Sequence, residues 1–300
     1  MKDPDYWQNY VYETDVEDIK RDIKQVTFQS RGLNLSLKYF EKDRNAPNIL
    51  LVSGTGGYSL FGADIMYVIR LRGYNVFGVD LQGHGDSEGQ KGDFTMSELV
   101  ENCCDAAQYI TANYSGRIGA IGPSMGGLIT LYLGLAHGPI KSIFCQNPGI
   151  VTEKIFQEEV TKKVKGILPL LKLLVRLLPK VKIPTSLYVD FKGFPENERE
   201  REILKKFMND PDIVEWYTLR ASLSQISTPP PNPIEKLKIP TMFLVPKTDK
   251  LTSISYVRNL YDRLPSIKKK IIEVDGGHWW MLSHTKEAAN LICDWFDETL

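Results

Sequence analysis

Residues 117–135, Arg-Ile-Gly-Ala-Ile-Gly-Pro-Ser-Met-Gly-Gly-Leu-Ile-Thr-Leu-Tyr-Leu-Gly-Leu, set a serine where it can become a nucleophile. A short apolar run leads into Gly122-Pro123-Ser124-Met125-Gly126, and an apolar helical run follows. G-x-S-x-G between a strand and a helix is a nucleophile elbow. The turn lifts Ser124 out of the end of a sheet at a strained φ/ψ, and small neighbours two residues away let strand and helix approach. The five-residue pattern is weak by itself. Its flanks give it meaning.

Serine near neutrality needs a base, and the base needs an orienting acid. The chain has four histidines, so the search is short. His137, in a turn after the elbow helix, and His284, at the start of the last helical run, read as surface residues. His84 lies in Asp80-Leu81-Gln82-Gly83-His84-Gly85-Asp86-Ser87, a glycine-rich loop leaving a strand. It is either an alternative base or part of a tight loop in which Asp80 and Ser87 tie down backbone amides. His278 follows the final strand in Asp275-Gly276-Gly277-His278-Trp279-Trp280, and Asp249 follows another in Pro246-Lys247-Thr248-Asp249. A base at the carboxyl end of the last strand can reach an elbow at the same end of a central one. Asp275, three residues from His278, reads as a local turn cap. Ser124, Asp249 and His278 are the candidate triad.

The developing oxyanion of an acyl transfer needs backbone amides, one of them from Met125 just after the nucleophile. The second should come from Ser53-Gly54-Thr55-Gly56-Gly57, the loop after an early strand. That loop has neither G-x-x-x-x-G-K-[ST] nor G-x-G-x-x-G, which argues against a phosphate cradle.

Around these residues the pattern is strand then helix, repeated. Residues 24–43 form a hairpin about Ser30-Arg31-Gly32, with Leu33, Leu35, Leu37 and Tyr39 on one face. Strands are expected at 48–53, 74–81, 142–146, 241–245 and 270–274, and helices at 63–72 and 95–114, the latter capped by Thr95. Continuous apolar strands alternating with helices imply an α/β fold: a mostly parallel sheet covered by helices on both faces. Ligands of such sheets gather outside the carboxyl ends of the strands. The alternation stops between Gly149 and Pro233, where helical segments and no convincing strand are expected. Thr228-Pro229-Pro230-Pro231-Asn232-Pro233 closes this stretch as a stiff connector. The chain therefore divides into a core at 1–148, a helical cap or lid at 149–233, and a second part of the core at 234–300.

With these motifs together, the chain resembles the α/β-hydrolases, and among them the monoacylglycerol lipase and lysophospholipase-like serine hydrolases of the serine aminopeptidase S33 type. The G-x-S-M-G-G elbow, the D-x-x-G-H-G-x-S loop and a histidine in G-G-H after the last strand carry the likeness, which runs from about residue 24 to 298. The resemblance implies an α/β-hydrolase fold and a triad of Ser124, Asp249 and His278. It implies a second oxyanion donor at the amide of Thr55, and a structural role for His84, which relatives carry outside the triad. Two positions depart from the pattern: Ser53 stands where relatives have His, and Lys247 where they often have Gly. The implied activity is hydrolysis of a small-molecule or lipid ester with an apolar acyl chain through an acyl-enzyme on Ser124, with no metal and no organic cofactor. A thioesterase, peptidase or acyltransferase would use the same triad, and a ligand-binding member of the fold would keep the scaffold without turnover.

The cap bears on substrate. Residues 167–178 include nine aliphatics in twelve, with Lys165, Lys172, Arg176 and Lys180 as a basic stripe. Such a helix packs on its own core, or lines an acyl site, or meets a lipid surface with its cations at the headgroups. Leu174, Leu177 and Trp279 are the substrate-contact candidates, and peripheral membrane contact through the cap is left open. The acidic run 196–202 reads as a solvated helix face. Lys plus Arg and Asp plus Glu number 37 each, a balance that argues against a nucleic-acid partner. The four cysteines show no ligand spacing and read as buried thiols. The N-terminus lacks a signal-peptide pattern, and no apolar run reaches the roughly 18–20 residues of a membrane span, so a cytoplasmic protein is expected.

Overall fold

The computed structural model describes residues 5–160 and 168–300. Its centre is an eight-stranded sheet built from β1 (Lys24–Ser30), β2 (Leu33–Phe40), β3 (Asn48–Val52), β4 (Asn75–Val79), β5 (Ile118–Pro123), β6 (Ser142–Gln146), β9 (Thr241–Pro246) and β10 (Lys269–Val274). The spatial order is β1-β2-β4-β3-β5-β6-β9-β10. The first two strands form an antiparallel hairpin whose β2 also pairs antiparallel with β4, and every other pairing is parallel.

Strands β3, β4, β6 and β9 are buried at every residue, which is why they read as unbroken apolar runs. Alternation sends Leu50 and Val52 to one face of the sheet and Ile49 and Leu51 to the other. On the first face pack helices Met96–Asn113, Met125–Leu135 and Ile254–Arg263, through Leu99, Ile129 and Val257 among others. On the second pack helices Ala63–Leu71 and Thr285–Asp297, through Ile65, Ile69, Ile292 and Phe296. Thr95 caps its helix in a full capping box with Glu98, with the Glu98 amide donating to Thr95 Oγ1 at 3.3 Å and the Thr95 amide to Glu98 Oε2 at 2.6 Å.

The segment between β6 and β9 departs from the expectation of helices alone. Strands β7 (Lys182–Pro184) and β8 (Trp216–Thr218) pair there as a short antiparallel ribbon. Three residues are too few to display a period of two, so the sequence carries no strand signal at these positions. Helices Lys154–Val160, Leu168–Leu177, Glu198–Phe207 and Leu219–Ser227 supply the rest of its regular structure together with short 3-10 turns. No helix among the described residues is long and apolar enough to cross a membrane.

Candidate active site

The loops that leave β3, β5, β6, β9 and β10 emerge at one edge of the sheet, and the candidate residues sit on them. Ser124 follows β5 directly, with φ +56° and ψ −126°, a conformation rarely adopted by a residue with a side chain. The glycines around it are dictated by backbone approach. A Cβ on Gly122 would stand 2.3 Å from the Gly126 carbonyl oxygen, and one on Gly126 would stand 2.1 Å from that of Val52. The turn is therefore tight against both the helix and β3, and the Ser124 amide donates to the Gln146 carbonyl at 3.2 Å.

Asp249 and His278 meet across the ends of β9 and β10. Asp249 Oδ2 lies 2.6 Å from His278 Nδ1, with the Asp249 side chain fully buried and that of His278 7% exposed. Oδ1 accepts from the amides of Leu251 at 2.7 Å and Thr252 at 3.0 Å. Burial pushes this carboxyl up, but the facing imidazole, its hydrogen bond and the two amides outweigh it and hold the group below the usual range. An ionised Asp249 fixes the imidazole with its proton on Nδ1, leaving the Nε2 lone pair as acceptor. Asp275 is 91% exposed and paired with Lys247 Nζ at 2.8 Å. The departure at Lys247 thus has a solvent-side partner.

Ser124, Met125, Thr55, Gly54 and His278 line one cavity of about 440 Å³, whose remaining wall is mostly apolar. Trp279 is part of that wall, edge-on to Phe61 and Phe207, while Trp280 is buried and stacks on His284. Leu174 and Leu177 are not brought to the cavity. Among the described side chains of helix Leu168–Leu177 it is Val175 that lines it, whereas Leu177 is 69% exposed. With apolar residues on nearly every side of that helix, spacing could not say which face turns inward. Lys165 and Ile167 lie outside the described residues, as does the side chain of Lys172; Arg176 and Lys180 are exposed.

His84 is buried away from the cavity, with Nδ1 3.0 Å from the Gln82 carbonyl oxygen. Burial lowers its pKa to about 4. In the same loop Asp80 accepts from the amides of Ser59 at 2.7 Å and Asp86 at 3.0 Å, and Ser87 Oγ accepts from the Ser36 amide at 2.8 Å. The loop carries structure, as the expected ties indicate.

Several contacts at the site have no signal in the sequence. Asn147, at φ +55° just after β6, donates from Nδ2 to Asp249 Oδ2 at 2.7 Å and lies 3.1 Å from His278 Nδ1. Its neighbour Gln146 donates from Nε2 to the His278 carbonyl at 2.8 Å and accepts from the Met281 amide at 3.3 Å. Glu200, expected on a solvated face, is completely buried. Its carboxylate accepts from the amides of Glu196 at 2.9 Å and Gly277 at 3.3 Å and from Ser283 Oγ at 3.3 Å. Phe194 lies over the His278 ring with centroids 4.1 Å apart. The glycine loop after β3 is held the same way: the Gly56 amide donates to Tyr217 Oη at 2.6 Å, and its carbonyl accepts from the Val214 amide at 2.9 Å. Ser53, in the position of the relatives' His, donates to the Tyr58 carbonyl at 2.8 Å.

Ser124 on its strained elbow, His278 with its Asp249 partner, and Gly54 and Thr55 of the glycine loop thus border one cavity. The family model of the serine aminopeptidases, S33, matches residues 43–282, and the chain belongs to this family of α/β-hydrolases. No curated protein matches the sequence. Among solved structures, a soluble variant of monoglyceride lipase from Saccharomyces cerevisiae, in complex with a substrate analog, superposes with a TM-score of 0.74 at 19% identity, covering 97% of this chain and 98% of that one. A monoacylglycerol lipase from Paleococcus ferrophilus gives 0.70 at 19% identity, covering 92% and 98%. An enol-lactonase from Burkholderia xenovorans gives 0.65 at 19% identity, covering 91% and 100%. Identities this low establish a shared fold.

Proposed function

We propose that the protein is a serine esterase acting on carboxylic esters with an apolar acyl chain, of the monoacylglycerol or lysophospholipid type. The observation that carries this reading is that Ser124 and His278 open onto the apolar cavity of about 440 Å³, a volume in the range of small-molecule sites. In this scheme Ser124 Oγ attacks the ester carbonyl carbon as its proton passes to His278 Nε2. The amides of Met125 and Thr55 hold the oxyanion. Collapse breaks the bond to the alcohol oxygen, which takes the proton from Nε2. Water then attacks the acyl-enzyme by the same route and releases the carboxylic acid. Asp249 opposes the charge on the imidazolium, and Asn147 acts as a positioning residue for that carboxylate.

The insert between β6 and β9 serves as the cap in this reading, since Val175, Leu187, Leu219 and Leu223 give the cavity its apolar wall. The same insert turns Leu173, Leu177, Leu178 and Val181 to solvent. This apolar surface supports a peripheral contact with membranes that hold the substrate.

The test is labelling by a fluorophosphonate followed by turnover of p-nitrophenyl esters from C2 to C12. Ser124→Ala, His278→Ala and Asp249→Asn should each lower kcat by about 10⁴, with little further loss on combination. A wild-type preference for acetate over octanoate esters would remove the lipid substrate. Labelling without turnover would remove the esterase.

A further inference from the structure

Among the described residues, the cavity has two separate groups of polar side chains on a mostly apolar wall. Thr55, Ser124, Gln146, Asn147, Thr252 and His278 belong to the triad end. Tyr188, Ser222 and Gln225 come from the insert and meet one another instead. Helix Leu219–Ser227 turns Leu219, Ser222, Leu223 and Ile226 to the cavity, the i, i+3, i+4, i+7 face of an amphipathic helix. Ser222 is the polar residue in that apolar stripe.

The bonding within this cluster is slack. Ser222 Oγ donates to Tyr188 Oη at 3.4 Å and Gln225 Nε2 at 3.5 Å, both near the limit of a hydrogen bond. Burial pushes the Tyr188 phenol up to about 12, so its proton is retained, and no acceptor for that proton occurs among the described residues. Gln225 Oε1 likewise receives no donor there. A plain hydrocarbon chain filling the cavity would displace water from these groups and leave donor and acceptor unpaired, which disfavours such a ligand. An oxygen function on the ligand pairs both.

We propose that Tyr188, Ser222 and Gln225 form a second recognition site, for a hydroxyl group that the substrate carries away from its scissile carbonyl. This deepens the esterase reading and rests on it for the reaction. The hydroxyl comes from one of two sources, the alcohol part of the ester or an oxygenated acyl chain.

Two pairs of substrates separate the sources. Monododecanoylglycerol against ethyl dodecanoate varies the alcohol, and ethyl esters of 8-, 10- and 12-hydroxydodecanoate against ethyl dodecanoate vary the chain. The readout is the ratio of kcat/KM within each pair, for wild type and for Tyr188→Phe, Ser222→Ala and Gln225→Leu. One pair should favour the hydroxylated ester by about tenfold, the worth of one or two hydrogen bonds, and the variants should collapse that ratio toward one. Ratios that the variants do not change, or a wild-type ratio near one in both pairs, would overturn the site. Calorimetry on the Ser124→Ala protein reads it without turnover, using 8-, 10- and 12-hydroxydodecanoate and monododecyl glyceryl ether against dodecanoate and ethyl dodecyl ether. If no ester is hydrolysed yet a hydroxylated probe binds about tenfold tighter and loses that advantage in Tyr188→Phe, the site stands and the esterase falls. Equal affinities throughout would remove the site itself.

Discussion

Removing the Asn147 side chain tests how the His–Asp pair is held. Asp249 has four donors in the structure: the Leu251 and Thr252 amides on Oδ1, and His278 Nδ1 with Asn147 Nδ2 on Oδ2. Asn147 supplies one of them at 2.7 Å, to a buried and ionised carboxylate. Its backbone lies at φ +55°, so the substitutions that leave the fold unstrained are Gly and Asp. A hydrogen bond to a charged group contributes about 1.5–3 kcal/mol, and if most of that is lost from the transition state kcat falls by roughly 10- to 100-fold. KM should change little, because the amide acts on the carboxylate rather than on an acyl chain. Steady-state kinetics with a soluble ester, beside melting temperatures, read both. A folded Asn147→Gly protein with kcat within twofold of wild type would refute the reasoning.

Three further outcomes follow from the geometry. His84 has a folded pKa of about 4 against roughly 6.5 unfolded, so its neutral form contributes stability that is full above the unfolded value and is lost as pH falls toward the folded one. Between pH 7 and 4.5 the wild type should lose about 2.5 kcal/mol more than His84→Gln in urea unfolding, and equal losses would place the ring in contact with water. Glu200→Leu strips a buried acceptor from the Gly277 amide and should cost about 2–4 kcal/mol of stability and lower kcat, with Glu200→Gln recovering most of both; parallel denaturation and kinetics would show otherwise if the two variants behave alike. Val175→Asp should harm octanoate turnover far more than acetate turnover, whereas Leu177→Asp should spare both and instead weaken binding to lipid vesicles, and the reverse pattern would exchange the two faces of the helix.

The sequence determined those features that local physics enforces. The elbow was legible because a serine raised between a strand and a helix demands glycines that no Cβ can replace, and Gly122 and Gly126 show those contacts. The buried parallel strands were legible because burial on both faces demands unbroken apolar runs, and Thr95 marked a helix start by its capping hydroxyl. Chain order at strand ends selected Asp249 and His278 as candidates, and the structure brings their side chains together. Contacts between residues distant in the chain were decided only by tertiary structure. Glu200 lies in a run of charges that spells a solvated face, and it is the packing of its helix against the Gly277–Ser283 loop that buries its carboxylate. Asn147 and Gln146 sit 102 and 132 residues from the partners they hold, and no spacing rule spans such a gap. The helix at 168–177 is apolar on too many sides for periodicity to name the cavity face. Among its described side chains Val175 faces the cavity, because packing, which the local pattern does not encode, set the rotation of the helix.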